Sequence, residues 1–181
     1  VMSQDAIQAK LANQSILLDI TTPTADSYVV VGERGHILLG HTFTDSVQVG
    51  VPTKATLTAV THVGQELWAV GHDYSILHSS DVGNTWTVQY QDLAKERPLL
   101  DVLFFDAQHG IVAGAYGSFM RTRDGGQTWQ SELHASLLHP DDIAYLEEVR
   151  EVDGEEFYLE ELSSILPHLN RLHYDGSTLY L

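Results

Sequence analysis

The chain has no cysteine among its 181 residues. That excludes disulfides, thiolate-ligated zinc and thiol nucleophiles together, and leaves the redox compartment open. Basic residues are scarce too: nine Lys and Arg stand against 25 Asp and Glu, for a formal net charge of −16. So acidic a chain repels nucleic-acid phosphates and anionic membrane surfaces, and neither is expected as a partner. No apolar run approaches the roughly 18 residues that cross a bilayer, so no direct membrane insertion is expected. The opening VMSQDAIQAKLANQSILLD has no basic stretch followed by an apolar one, and no signal peptide is read there. A mature chain whose signal had been removed would read the same way. What remains is the composition of one folded domain, 43% apolar and 19% charged.

The chain repeats itself. SSDVGNTW (Ser79–Trp86) and TRDGGQTW (Thr122–Trp129) share the pattern Ser/Thr-x-Asp-x-Gly-x-Thr-Trp, 43 positions apart. Fifteen residues before each tryptophan stands a glycine, Gly71 and Gly114, and the same frame fits earlier at Gly32, with a decayed octapeptide at Gly40–Val47. Before each glycine come a short apolar run, a polar turn and a second apolar run. HLNRLHYDGSTLYL repeats that opening a fourth time. The runs are rich in Val, Ile, Leu, Thr, Tyr and Phe and are punctuated by Gly, Asp, Asn and Ser, which is strand and turn chemistry. Four short antiparallel strands per unit, at a period near 40, predict an all-β chain of β-propeller blades. The blades are read at about 15–54, 55–97 and 98–133, with the next one opening at 168–181.

Within the octapeptide, Gly83 and Gly126 offer positive φ. Asp81 and Asp124 can accept from backbone N–H groups two or three residues on. The hydroxyls of Thr85 and Thr128 can close the same loop, with Ser79 and Thr122 as its first residues. Trp86 and Trp129 can pack between the turn and the sheets. The motif reads as a structural staple; one carboxylate per turn is too few for a cation cage, so no metal and no cofactor is expected.

These octapeptides resemble the Asp-box, or BNR repeat, of sialidases and related propellers. The fuller frame, VGERGHILLG, VGHDYSILHSSDVGNTW and AGAYGSFMRTRDGGQTW, resembles the photosystem II stability/assembly factor family over about residues 15–131 and again at 168–181. The resemblance implies a seven-bladed, non-enzymatic assembly factor that binds a protein partner in an extracytoplasmic or lumenal setting, and a periplasmic or secreted location is expected for this chain. It also implies a basic patch beside the octapeptide, which Arg121 and Arg123 would supply, with His78 and Leu39 at the matching places of the other units. A seven-bladed ring at this period needs roughly 300 residues, so the chain reads as part of a longer protein, or as one whose open blade edge invites self-association.

One segment breaks the period. The openings at Leu18, Thr58 and Leu100 are 40 and 42 residues apart, but the step to Asn170 is 70. The extra residues predict an α-helical insertion at about 134–167. Its first helix starts at Pro140-Asp141-Asp142 with Ile143, Leu146, Val149 and Val152 on one face. After Gly154, a second helix carries Phe157, Leu159, Leu162 and Ile165 and ends before Pro167. The insertion is acidic, with Glu147, Glu148, Glu155 and Glu156 among its carboxylates. They form a solvated face or a docking arm for a basic protein.

A BNR-repeat glycosyl hydrolase or glycan-binding protein is the alternative function. Sialidase chemistry needs three arginines clamping a carboxylate, and none of the arginines stands in the Arg-Ile-Pro context that opens that pattern. The ten histidines, among them His36, His41, His72 and His78, show no HExxH and no His-x-His; they read as surface or turn residues, with a metal site as the other possibility. The glycine-rich turns lack the following Lys-Ser/Thr of a phosphate loop. No catalytic residue is assigned.

Overall fold

The computed structural model describes residues 4–41 and 45–181. Residues 42–44 of the decayed octapeptide read at Gly40–Val47 lie outside the described residues.

Three four-stranded antiparallel sheets follow one another along the chain. The first holds β1 (Leu17–Thr24), β2 (Ser27–Gly32), β3 (Ile37–Gly40) and β4 (Val47–Gln48). The second holds β5 (Leu57–Val63), β6 (Glu66–Gly71), β7 (Ser75–Ser79) and β8 (Thr87–Tyr90). The third holds β9 (Leu99–Phe104), β10 (Gly110–Gly114), β11 (Phe119–Thr122) and β12 (Gln130–Ser131). Each sheet is ordered as its strands run in sequence, so every connection is a hairpin and each sheet is one propeller blade. A fourth unit contributes the hairpin of β13 (His173–Tyr174) and β14 (Leu179–Tyr180).

The repeating glycine has a steric cause. A Cβ on Gly32, Gly71 or Gly114 would overlap the backbone carbonyl oxygen of Ile16, Thr56 or Pro98, where the preceding linker crosses the end of the second strand. The backbone of Gly32 and Gly114 is extended, so close approach alone selects glycine there.

Alternation along the strands gives each blade two apolar faces, and the core lies in the seams between blades. Val29, Val31 and Ile37 of the first blade meet Leu57, Leu67, Ala69, Leu77 and Trp86 of the second. Trp68, Val70 and Ile76 of the second meet Leu99, Val112 and Met120 of the third. Trp68 stacks on Phe104 with ring centroids 3.5 Å apart and planes 9° from parallel. The forward face of the third blade, Ile111, Ala113 and Phe119, is covered by Leu169 and Leu172 of the fourth unit. The rear face of the first blade is partly open: Ala12 packs on Val30 and Leu38 there, and the outer part is uncovered. Leu18 and Ile20 are exposed there, whereas Thr58 and Leu100, the counterparts of Leu18, are half-buried and Val60 and Val102, those of Ile20, are buried.

Between the third blade and the fourth unit the chain forms α1 (Pro140–Asp153) and α2 (Glu155–Ile165), joined at Gly154, whose φ is 94°. Pro140 occupies the first turn, where no N–H partner is needed, and Asp141 and Asp142 complement the helix dipole. The helices bury Leu146 against Tyr158, Leu162 and Leu166 in a small core of their own. The expected faces need correction: Val152, Phe157 and Leu159 are exposed. The phase of α2 is set at its C-terminal end, where Leu166 packs on Gly117 and the Gly117 N–H donates to Pro167 O at 2.8 Å. That anchor turns Tyr158 and Leu162 inward. Among the described residues no helix is long and apolar enough to cross a membrane.

Candidate functional site

The two octapeptides lie between the third and outermost strands of their blades and form the same hydrogen-bonded circuit. In the second blade Ser79 Oγ donates to Asp81 Oδ1 at 2.8 Å and accepts from the Gly83 N–H at 2.9 Å. Thr85 then donates to Asp81 twice, from its N–H at 2.8 Å and from its hydroxyl at 2.6 Å. In the third blade Thr122 donates to Asp124 at 2.8 Å and accepts from the Gly126 N–H at 2.8 Å. Thr128 donates to Asp124 at 2.9 and 2.6 Å. The main donor residue is thus the threonine four positions beyond the aspartate, and the backbone of Asn84 or Gln127, three positions on, adds a lesser contribution. Two consecutive left-handed residues curl the chain that far: Val82 and Gly83 at φ 61° and 87°, Gly125 and Gly126 at 71° and 89°.

The electrostatics follow from the circuit. Bonds from the Thr128 hydroxyl and N–H, then from Thr122, hold the Asp124 carboxyl down at about 2. At Asp81 burial pushes upward, and the bonds from Thr85 and Ser79 together outweigh it, leaving the carboxyl below its ordinary range. Both groups are therefore anionic acceptors saturated within their own turns. Trp86 fills the first seam and its indole N–H donates to Gly83 O at 2.9 Å. Trp129 packs edge-on against Phe104 in the second seam.

The charged candidates divide into paired and unpaired groups. Arg121 Nε and Nη2 grip the Glu132 carboxylate at 2.8 and 3.3 Å, eleven residues on across the β11–β12 pair. Arg123 donates to Gln130 Oε1 at 3.4 Å, is exposed, and has no ion pair among the described residues, although its charge helps to lower the Glu132 pKa. In the insertion Arg150 bridges Glu147 at 3.2 Å and Glu155 at 2.9 Å, clipping the two helices together, and lies 3.7 Å from the Tyr158 ring centroid. Glu148 and Glu156 have no ion-pair partner among the described residues. Of the histidines, His78 pairs with Glu66 at 2.6 Å, and His36, expected at the surface or in a turn, is in a turn but buried, its Nδ1 without a partner. Burial lowers its pKa.

Sequence reasoning missed a set of links between innermost strands. Asp19 Oδ2 accepts from the Val60 N–H of the next blade at 2.9 Å, and Asp101 Oδ2 accepts from the Leu172 N–H of the fourth unit at 2.7 Å. Ala59 holds the same place in the second blade, where Thr58 donates instead to Leu99 O at 2.7 Å. The available signal was an aspartate inside two apolar strand openings, LLDI and LLDV.

The match to known proteins agrees with this architecture. Residues 87–174 match the family model described as photosynthesis system II assembly factor YCF48. The photosystem II assembly protein Ycf48 of Synechococcus is 30% identical over 133 residues, 70% of this chain and 40% of that protein. These matches make the chain similar to the photosystem II assembly factor-like family. The chloroplastic photosystem II stability/assembly factor of Guillardia theta is 34% identical over 64 residues, 34% of this chain and 16% of its own. Two solved structures share the fold. YCF48 bound to D1 peptide aligns with a TM-score of 0.59 at 18% identity, covering 72% of this chain and 46% of that one. YCF48 from Cyanidioschyzon merolae aligns at 0.52 and 21%, covering 72% and 40%. The chain thus spans less than half the length of these relatives. The expected periplasmic or secreted location is corrected by them: a chloroplastic factor and a cyanobacterial photosystem II protein are not periplasmic or secreted proteins in the sense expected.

Proposed function

We propose that this chain is part of a non-catalytic propeller scaffold that binds a protein partner during photosystem II assembly. The observation that carries the reading is the family match, which runs from the outer strand of the second blade into the fourth unit. A solved relative with a D1 peptide bound supports a protein partner. The non-catalytic part is supported by the turns, whose carboxylates are spent on their own Thr and Ser hydroxyls and backbone. Asp81, Asp124 and their neighbours thus act as staples.

Within this reading, partner contact falls to the charges left unspent. Arg123, Glu148 and Glu156 are free to meet an opposite charge, whereas Arg121, Glu147 and Glu155 must first leave an internal ion pair. Isothermal titration of the folded 181-residue chain with a D1 peptide tests the proposal. Saturable one-to-one binding, weakened by Arg123→Glu or by Glu148→Lys with Glu156→Lys, is expected. A folded chain that gives no binding heat up to millimolar peptide would overturn it.

A further inference from the structure

We propose that a cleft between the second blade, the third blade and α2 receives a single carboxylate of a protein partner, held between Lys95 and Arg97. The inference rests on the reading of the chain as a protein-binding scaffold, and it gives that scaffold a contact point.

The cleft encloses about 600 Å³ and is walled by the linker carrying Lys95 and Arg97, the turn at Tyr116–Phe119 and Ser163 of α2. Four of the nine basic residues, Arg34, Arg121, Arg150 and Arg171, stand within ion-pair distance of a carboxylate, and Lys10, Lys54 and Arg123, which do not among the described residues, are exposed. Lys95 and Arg97 have no such pair either, among the described residues, although both are only half-exposed. Each cation is laid on an aromatic ring instead. Lys95 Nζ lies 4.5 Å from the Tyr74 ring centroid, and the Arg97 guanidinium lies 5.1 Å from that of Tyr116. Arg97 also donates to Ser163 O at 3.1 Å, which fixes the guanidinium while leaving further N–H donors open. Two cations held in place before a ligand arrives lose little freedom on binding it.

The rings themselves are unusual. Tyr74 has φ 51°, in a turn position that Gly35 and Gly117 occupy in the other two blades. Tyr116 has φ 53°. Bulky residues in the left-handed region are strained and persist where the surroundings over-determine them. The two rings lie under two cations that have no carboxylate partner among the described residues.

The acids of the cleft restrict what enters. Glu132 is already neutralised by Arg121 at 2.8 Å and His134 at 3.4 Å. Glu96, exposed between the two cations in sequence, has no basic partner among the described residues and limits the negative charge the cleft accepts. That balance favours one carboxylate over a phosphate dianion.

The test is a titration of the 15N-labelled full chain with an acetylated hexapeptide of Gly, Ser and Leu that ends in a free carboxylate, with its C-terminal amide and inorganic phosphate as separate arms. The expected result is shifts confined to the amides of 94–97, 116–119 and 163, absent with the amide peptide. Lys95→Ala is expected to weaken binding about tenfold, the loss of one charge-assisted contact. Lys95→Ala keeps the one backbone bond that Lys95 makes, from its N–H to Asp92 O at 3.1 Å, so this variant keeps the fold; Arg97→Lys, which keeps the charge but loses the fork, is expected to weaken binding as well. Lys10→Ala, at an exposed site elsewhere, should change nothing. Unchanged binding in both cleft variants overturns the proposal, and so does equal binding of the amide or tighter binding of phosphate. If the D1 peptide binds and the hexapeptide does not, the cleft falls and the scaffold stands; if neither binds, both fall.

Discussion

The turns SSDVGNTW and TRDGGQTW differ at their first, second, fourth and sixth residues, yet the four central hydrogen bonds of their circuits agree within 0.1 Å. The fourth position is the instructive one. Gly125 enters the left-handed region freely, whereas Val82 is forced there at φ 61°. A β-branched residue resists that conformation, because its Cβ crowds the following carbonyl oxygen. The circuit of Ser79, Asp81, Gly83 and Thr85 therefore over-determines the backbone and imposes its shape on a residue that opposes it. The variable positions carry strain; the fixed positions carry the fold.

The largest effect should come from exchanging the two fourth residues. Gly125→Val adds left-handed strain, and the new Cβ meets Ala107 O at 3.0 Å, a backbone atom with little room to yield. A loss of about 2–3 kcal/mol is expected. Val82→Gly should act in the opposite direction. It relieves about 1–2 kcal/mol of strain and returns part of that through the freer unfolded chain, for a net gain of about 1 kcal/mol. Urea unfolding of the two variants measures both signs. A Val82→Gly protein less stable than the parent would show that the valine packs well enough to repay its backbone.

A smaller contrast lies in the tryptophans. The Trp86 N–H is bonded to Gly83 O, but the Trp129 N–H is buried without a partner. Trp86→Phe removes ring area and also strands a buried carbonyl. Trp129→Phe removes similar area and relieves an unsatisfied donor. The first should therefore cost about 1 kcal/mol more than the second. In a chain of this length that is a separation in Tm of about 2–4 °C. Equal losses would mean that Trp129 finds a partner, such as water, that the turn itself does not provide.

The same contrast between imposed and free positions explains what could be read in advance. The propeller was legible because its demands recur: Gly32, Gly71 and Gly114 stand where a Cβ would strike a carbonyl, and each apolar run faces a seam. The octapeptide residues stand together in the turns, and their types dictate most of what they bond. The shape at Val82 was hidden, because nothing in a valine announces a left-handed backbone. The outward placement of Phe157 and Leu159 was hidden for another reason: helix phase there depends on Leu166 docking at Gly117, nearly fifty residues back. The pairing of Arg121 with Glu132 and the links of Asp19 and Asp101 to the next unit are likewise non-local. They depend on which strand lies alongside, which repeat spacing alone leaves open.

The smallest effect belongs to pH, and it separates the two turns once more. Asp124 titrates at about 2 in the folded chain, below the roughly 3.9 of an unfolded aspartate. A depressed carboxyl contributes stability that is fully present above the unfolded value and is lost as pH falls through the folded one. The turn of the third blade should thus hold its contribution down to about pH 4 and shed it toward pH 2. Asp81 is depressed as well, but burial works against its hydrogen bonds, so its contribution is the weaker of the two in this window. Both groups face solvent, where screening keeps such terms small. Asp101 is shifted the other way, raised by burial against the bonds from Leu172 and Val102, so the raw acid limb of the parent mixes opposite signs. The clean readout is the difference in Tm between the parent and each aspartate-to-asparagine variant, followed from pH 6 to pH 2. For Asp124→Asn that difference should shrink below pH 4, and for Asp81→Asn it should shrink less. Parallel curves for the Asp124 variant would show that its carboxylate serves as a neutral acceptor would, and that the shape of the turn rather than its charge is what the circuit holds.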